Sequence, residues 1–352
     1  MDGTAIVLTN GLLHTPHAKT AHGLIRGTER FKLLGIIDRV SAGKDAGVVL
    51  DGKTRGIPVI ASIADALART TEKIDFCIVG IAVAGGKLPD DFQDELKNAV
   101  RAKISIVNGL HDFLSEMPEF QALANEHGVK LIDVRKPKPK SELSYWSGRI
   151  GKVTTPRIAV LGTDCALGKR TTCRFLVQAA RAQGLTAEMI YTGQTGWMQG
   201  SKYGFIFDAT INDFISGELE AALVKCFEEV NPDMMFIEGQ SALRNPLGPC
   251  GSEFIISGQA KAVVLQHKPS RLDFKGTDAL PTKIPTLKSE IELIKMFGAD
   301  TIALTLNTDG LTTEQALQFK AQYQEELGIP VVLPLEEGVD VALNAVRAFF
   351  KI

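Results

Sequence analysis

A chain of 352 residues is long for one domain of about 100–200 residues and short for four, so two domains are expected. Its 45% hydrophobic and 23% charged residues are those of an ordinary globular protein, which excludes a disordered, collagenous or disulfide-scaffold chain. The 39 basic and 41 acidic residues leave a formal charge of -2, so no overall field draws in nucleic acid or an anionic membrane. No apolar run reaches the length of a membrane span, and the first ten residues lack the charged start and apolar core of a signal peptide, so a cytoplasmic protein is expected. The five cysteines (Cys77, Cys165, Cys173, Cys226, Cys250) form no C-x-x-C pair, which argues against a zinc knuckle or a disulfide framework.

Short apolar runs alternate with amphipathic stretches along nearly the whole chain, the pattern of parallel strands joined by helices, so the fold class is α/β. In the first part strands are expected at residues 5–8, 33–37, 76–81, 104–107 and 130–133, with helices near 17–26, 63–69, 90–101 and 112–126. The pattern stops at Arg135-Lys136-Pro137-Lys138-Pro139-Lys140, where two prolines remove backbone donors and closely spaced cations repel one another into an extended form. This places a first domain at 1–136, a linker at 137–156 and a second domain at 157–352. Strands of the second are expected at 157–161, 187–191, 234–237, 262–265, 301–304 and 331–333. In the first domain, Asn10 to His17 follow the first strand and Asp38 ends the second, where a dinucleotide-binding acid would meet a ribose. The full G-x-G-x-x-G fingerprint is missing, which favours a degenerate scaffold over a nicotinamide site. Val83-Ala84-Gly85-Gly86-Lys87 is a second glycine turn of either structural or cleft-lining character.

The most informative segment is the strand at 157–161 followed by Gly162-Thr163-Asp164-Cys165-Ala166-Leu167-Gly168-Lys169-Arg170-Thr171-Thr172. Thr172, Phe175, Leu176, Ala179 and Ala180 then recur at helical spacing, which puts Lys169 on the first turn of an amphipathic helix. A strand, a glycine-bounded loop and a helix N-terminus aim unpaired backbone N–H groups and the helix dipole at one point, where a phosphate can bind. Lys169 adds a full charge. Against the usual G-x-x-x-x-G-K-[ST], five residues rather than four separate Gly162 from Gly168, and Arg170 stands where a magnesium-binding hydroxyl normally follows the lysine. Thr171 or Thr172 is left to substitute; otherwise the loop holds phosphates without supporting phosphoryl transfer.

Asp233-Met-Met-Phe-Ile-Glu238 is an apolar strand ending in a carboxylate, the usual way to present an acid beside bound phosphates. Glu238 can orient a metal, accept a proton from a substrate ammonium, or simply cap the turn that follows. Asp164 is the second candidate acid. Thr192-Gly193-Gln194-Thr195-Gly196 lies beyond the carboxyl end of the 187–191 strand, where ligands collect in open α/β sheets, and makes Gln194 a candidate donor. Gln240, Arg244, Lys268 and Arg271 follow neighbouring strands and are candidates for substrate carboxylates. His267 is read as hydrogen-bonded rather than catalytic, and Cys165 as loop packing rather than a nucleophile.

The G-T-D loop with its later G-K resembles that of dethiobiotin synthetase and related cobyrinic acid synthetases. Over nearly the whole chain the sequence is similar to a family long filed as a domain of unknown function, with a Rossmann-like N-terminal domain followed by a P-loop domain. Gly162-Thr163-Asp164, Gly168-Lys169, Thr171-Thr172, Thr192-Gly193-Gln194-Thr195-Gly196, Met198-Gln199-Gly200, Ile237-Glu238-Gly239-Gln240 and Asp133-Val134-Arg135-Lys136-Pro137 carry the likeness. The resemblance implies two open parallel-sheet domains, Rossmann-like and P-loop NTPase-like. Because one branch of that family acetylates D-glutamate with acetyl-CoA during its breakdown, it also implies an N-acetyltransferase. On that reading Gly162, Thr163, Gly168, Lys169, Arg170, Thr171 and Thr172 hold the cofactor phosphates without a metal, and Glu238, Asp164 and Gln194 serve the chemistry. The alternatives are an ATP- and magnesium-dependent ligase or kinase and a nucleotide- or CoA-sensing module. The expected partner is a small-molecule amino acid, neither nucleic acid nor membrane, with homo-oligomerisation left open.

Overall fold

Alternate residues of each central strand enter opposite cores, which is what period-2 geometry requires of strands covered on both faces. The computed structural model describes residues 2–82 and 86–352, which divide into two units: Met1–Pro137 with Gln194–Gly200, and Lys138–Gly193 with Ser201–Ile352. Val83, Ala84 and Gly85 of the second glycine turn lie outside the described residues.

In the first unit the strands are β1 (Gly3–Leu8), β2 (Phe31–Ile37), β3 (Val59–Ile60), β4 (Phe76–Val79), β5 (Ser105–Asn108) and β6 (Leu131–Asp133). Their order is β3-β2-β1-β4-β5-β6 with parallel pairs throughout, the doubly wound arrangement of dinucleotide-binding folds. Ile6 and Leu8 enter one core and Ala5 and Val7 the other. Asp38 is fully buried and accepts hydrogen bonds from Thr9 Oγ1 (2.8 Å) and the backbone N–H groups of Gly11 (2.8 Å), Leu13 (2.9 Å) and Ser41 (2.9 Å). Burial alone would raise its pKa, but the bonds from Leu13, Thr9, Ser41 and Gly11 outweigh it and hold the carboxylate below its usual range. Asp38 therefore buttresses the loop after β1, a role that uses up the lone pairs a ribose would need.

The helix expected over 112–126 is divided into a 3-10 turn, Leu114–Glu116, and a helix, Pro118–His127. Pro118 stands at the first helical position, where its missing N–H costs nothing. The two-residue strand β3 is too short for periodicity to reveal. The segment Gln194–Gly200 also belongs to this unit. Met198 is buried with Val7 and Leu24, and Gln199 Nε2 donates to the carbonyls of Gly23 (2.7 Å) and Gly27 (2.9 Å). The Arg30 guanidinium lies 4.1 Å from the centre of the Trp197 ring.

The second unit holds β7 (Arg157–Gly162), β8 (Ala187–Tyr191), β9 (Tyr203–Gly204), β10 (Met234–Glu238), β11 (Ala262–His267), β12 (Asp300–Leu306) and β13 (Val331–Val332). The seven-stranded order is β13-β12-β11-β7-β10-β8-β9, all pairs parallel, with β7 in the middle. Ala159 and Leu161 of β7 enter one core with Met235 and Ile237 of β10, while Ile158 and Val160 enter the other with Met234 and Phe236. Of the expected linker 137–156, residues 138–156 fall in the second unit, where Lys138, Ser144, Ser147 and Ile150 bond to the long helix Asn212–Glu229. Buried Glu218 accepts from Lys138 Nζ (2.6 Å) and Ser144 N (2.9 Å), and buried Glu220 accepts from Ser147 N (2.6 Å) and Ile150 N (3.0 Å). Two buried carboxylates thus order a stretch that its own composition reads as extended and solvated. Among the described residues no helix is long and apolar enough to cross a membrane.

Candidate functional site

β7 delivers the chain at Gly162 into the loop that precedes the helix Lys169–Ala182. A Cβ at Gly162 would come within 3.0 Å of Lys169 Cδ and 3.2 Å of the Gln266 carbonyl oxygen, so the absent side chain lets the lysine stem fold back over the strand end. Ala166 (φ 52°) and Gly168 (φ 102°) take left-handed conformations, and such alternation turns successive N–H groups toward one concavity. The N–H groups of Ala166, Leu167, Gly168, Lys169 and Thr171 have no acceptor among the described residues. Together they make an anion nest at a helix N-terminus. Buried Lys169 donates from Nζ to the carbonyls of Asp164 (2.7 Å) and Ser241 (2.7 Å), leaving its third N–H for a ligand. Burial pushes its pKa down to about 8, against the opposing influence of Cys165, Cys250, Asp164 and Glu238.

Glu238 ends β10 and pairs in register with Val160 of β7, so its strand is the immediate neighbour of the loop-bearing strand. Its Oε2 accepts from Thr192 N (3.0 Å), and Gly193 supplies a further backbone hydrogen bond. Thr192 Oγ1 donates to the Glu238 carbonyl (2.6 Å) and accepts from Gln240 Nε2 (2.9 Å), which ties the 192–193 turn to the 238–240 turn. Burial raises the Glu238 pKa despite the Arg170 charge, the Thr192 and Gly193 hydrogen bonds and the Lys169 charge that oppose it. A buried carboxylate whose pKa is raised is a stronger base than an exposed one and so a candidate to accept a proton.

Asp164 is fully buried within the loop. Its Oδ1 accepts from Cys165 N (2.7 Å) and Asn245 Nδ2 (2.9 Å), and its Oδ2 from Arg271 Nη1 (2.8 Å) and Lys275 N (2.9 Å). Four donors saturate this carboxylate and fasten the stretches after β10 and β11 to the phosphate loop. Thr163 Oγ1 shares a hydrogen bond with His267 Nδ1 (2.9 Å), and burial pushes the His267 pKa down to about 4, so that ring is neutral near pH 7. The Cys165 thiol is held protonated by burial and then by Asp164, outweighing Lys169, Lys275 and Arg271.

Residues 144–343 match a family described as a domain of unknown function, DUF1611 C-terminal P-loop domain, and residues 39–137 match its N-terminal Rossmann-like domain. The chain belongs to this family. A crystal structure of a DUF1611 family protein from Anabaena variabilis superposes with a TM-score of 0.88 at 30% identity, covering 98% of this chain and 99% of that one. A D-glutamate N-acetyltransferase from a Pseudoalteromonas species is 31% identical over 270 residues, 75% of this chain and 78% of the relative. One from Tritonibacter scottomollicae is 28% identical over 279 residues, covering 77% and 80%.

In this DUF1611 chain the second unit gathers Gly162, Thr163, Asp164, Gly168, Lys169, Arg170, Thr171, Thr172, Glu238 and Gln240 at the ends of the neighbouring strands β7 and β10. Gln194 clusters with the first unit instead. The three cations expected to meet a substrate carboxylate each face an acid of the protein: Arg244 pairs with buried Glu290 (2.6 Å), Lys268 with Asp309, and Arg271 with Asp164 (2.8 Å). Thr172 Oγ1 donates to Gln266 Oε1 (2.6 Å), as does Thr305 Oγ1 (2.7 Å), so that hydroxyl is committed to the sheet. The donor set departs from the fold's usual magnesium site: an arginine stands at the hydroxyl position, Thr172 is committed to Gln266 and Glu238 holds two backbone N–H groups, which leaves Thr171 as the hydroxyl able to substitute. Among the described residues no group of three or more His, Cys, Asp or Glu side chains is placed to hold a metal ion. Sequence reasoning passed over Asn245, Gln266 and Lys275, since a lone amide or lysine carries no spacing signal, whether in a loop or at a strand end.

Proposed function

We propose that this protein is an N-acyltransferase that transfers the acetyl group of acetyl-CoA to the amino group of an acidic amino acid, D-glutamate being the first candidate. The observation that carries this reading is the buried Glu238 carboxylate, with its raised pKa, on the strand beside an anion nest in which Arg170 stands where a magnesium-binding hydroxyl normally follows the lysine. Relatives named D-glutamate N-acetyltransferase that share three quarters of the chain support it. The nest and Lys169 bind the CoA diphosphate. Glu238 takes a proton from the substrate ammonium, and the freed amine attacks the thioester carbonyl. A C–N bond forms, the C–S bond breaks, and the thiolate leaves to be protonated as free CoA. No covalent enzyme intermediate is needed, in keeping with a Cys165 thiol whose pKa is raised.

The test is calorimetric titration of the full-length protein with CoA and, separately, with ATP and magnesium, followed by thiol release from acetyl-CoA with D-glutamate, L-glutamate and related amino acids. CoA binding with thiol release that depends on an acidic amino acid is expected. Binding of ATP with magnesium and none of CoA would overturn the reading in favour of a ligase or kinase.

A further inference from the structure

The loop between β11 and the helix Leu287–Met296 presents a cation that is not used internally. Residues 272–284 fold back on themselves, with Phe274 N donating to the Thr282 carbonyl (2.9 Å) and Ile284 N to that of Leu272 (2.9 Å). Phe274 is buried, and Thr277 Oγ1 donates to its carbonyl (2.8 Å). Lys275 follows directly. Its backbone N–H is fixed on Asp164 Oδ2 at 2.9 Å, so its Cα is held against the phosphate loop. Lys268, Arg271 and Lys283 of the same loop face Asp309, Asp164 and Asp273. The exposed Lys275 ammonium has no ion-pair partner within 4 Å among the described residues. It stands close enough to Cys165 for its charge to be felt at that thiol.

Lys169 is buried and serves the interior of the nest, whereas Lys275 charges the solvent side of the same loop. The backbone of Lys275, fixed by a buried carboxylate, anchors the origin of a flexible side chain that carries a full charge to the exposed side of the loop. We propose that Lys275 is a cofactor-binding residue that pairs with a phosphate outside the nest: in a CoA-type ligand, the ribose 3′-phosphate. This rests on the reading that the loop holds CoA, and it makes the site selective for CoA over 3′-dephospho-CoA.

The experiment is titration of the full-length protein and of its Lys275→Gln and Lys275→Arg variants with CoA and with 3′-dephospho-CoA, at two ionic strengths. The expected result is a loss of roughly tenfold in CoA affinity for Lys275→Gln, recovery in Lys275→Arg, and 3′-dephospho-CoA affinity changed less than about twofold. The wild type should also lose its preference for CoA at high salt. CoA binding by the wild type with no change in Lys275→Gln, or equal weakening of both ligands, overturns the assignment of Lys275 while leaving the CoA site in place. A wild type that binds neither ligand overturns the CoA reading itself, and this assignment with it.

Discussion

Raising the pH is the most direct probe of the nest. Lys169 is buried, with its pKa pushed down from 10.5 to about 8, principally by burial. A bound phosphate favours the charged form, so the pKa rises in the complex and binding above pH 8 takes up a proton. The sign follows: affinity is at its full value well below pH 8 and falls as pH rises through that value. At pH 7 about nine tenths of the free protein carries a charged Lys169, and at pH 9 about one tenth, so Kd for acetyl-CoA should rise about tenfold, or about 1.4 kcal/mol. Calorimetry at constant ionic strength in two buffers of different ionisation enthalpy should show proton uptake approaching one per ligand at pH 9. Lys169→Gln should bind weakly with a flat profile. A wild-type Kd unchanged between pH 7 and pH 9, or the same tenfold loss in Lys169→Gln, would refute the placement of that ammonium on the ligand.

Glu238→Gln should lower kcat by roughly 10²- to 10³-fold while acetyl-CoA affinity changes less than about twofold. The wild-type kcat should rise with pH through a value above the ordinary carboxylate range, because burial raises the Glu238 pKa and the base form is the active one; an unaltered rate in the variant removes Glu238 from the chemistry. Asp164→Ala removes a fully buried carboxylate that accepts from four donors and leaves the Arg271 side chain, 19% exposed, without its counterion, at a cost of about 3 kcal/mol. The chain has two tryptophans, so in a Trp197→Phe background Trp146 reports urea unfolding of the second unit. A loss below about 1 kcal/mol would show that the Asp164 cluster does not hold these loops.

The amino-acid sequence by itself determined the α/β class and both sheets, because strands covered on two faces must be written as short apolar runs and amphipathic helices must recur between them. It also located the phosphate loop and the acid at the end of β10, since a nest needs glycine-bounded backbone at a helix start and a sheet presents ligands at its carboxyl edge. Tertiary structure alone decided which charges stay available. Arg244, Lys268 and Arg271 read as three candidate cations, yet Glu290, Asp309 and Asp164, 41 to 107 residues away in sequence, claim them. Asp38 stands where a ribose acceptor would, on a scaffold that the missing glycine fingerprint reads as degenerate, and four nearby donors consume it. The segment 137–156 reads as a solvated linker and Gln194–Gly200 as part of the second unit; bonds to Glu218 and Glu220 hold most of the first stretch on the second unit, and the burial of Met198 with Val7 and Leu24 puts the other in the first. Local pattern encodes periodicity and backbone conformation, which depend on near neighbours. Whether a polar group is spent or spare depends on partners that only the folded chain brings within hydrogen-bonding distance.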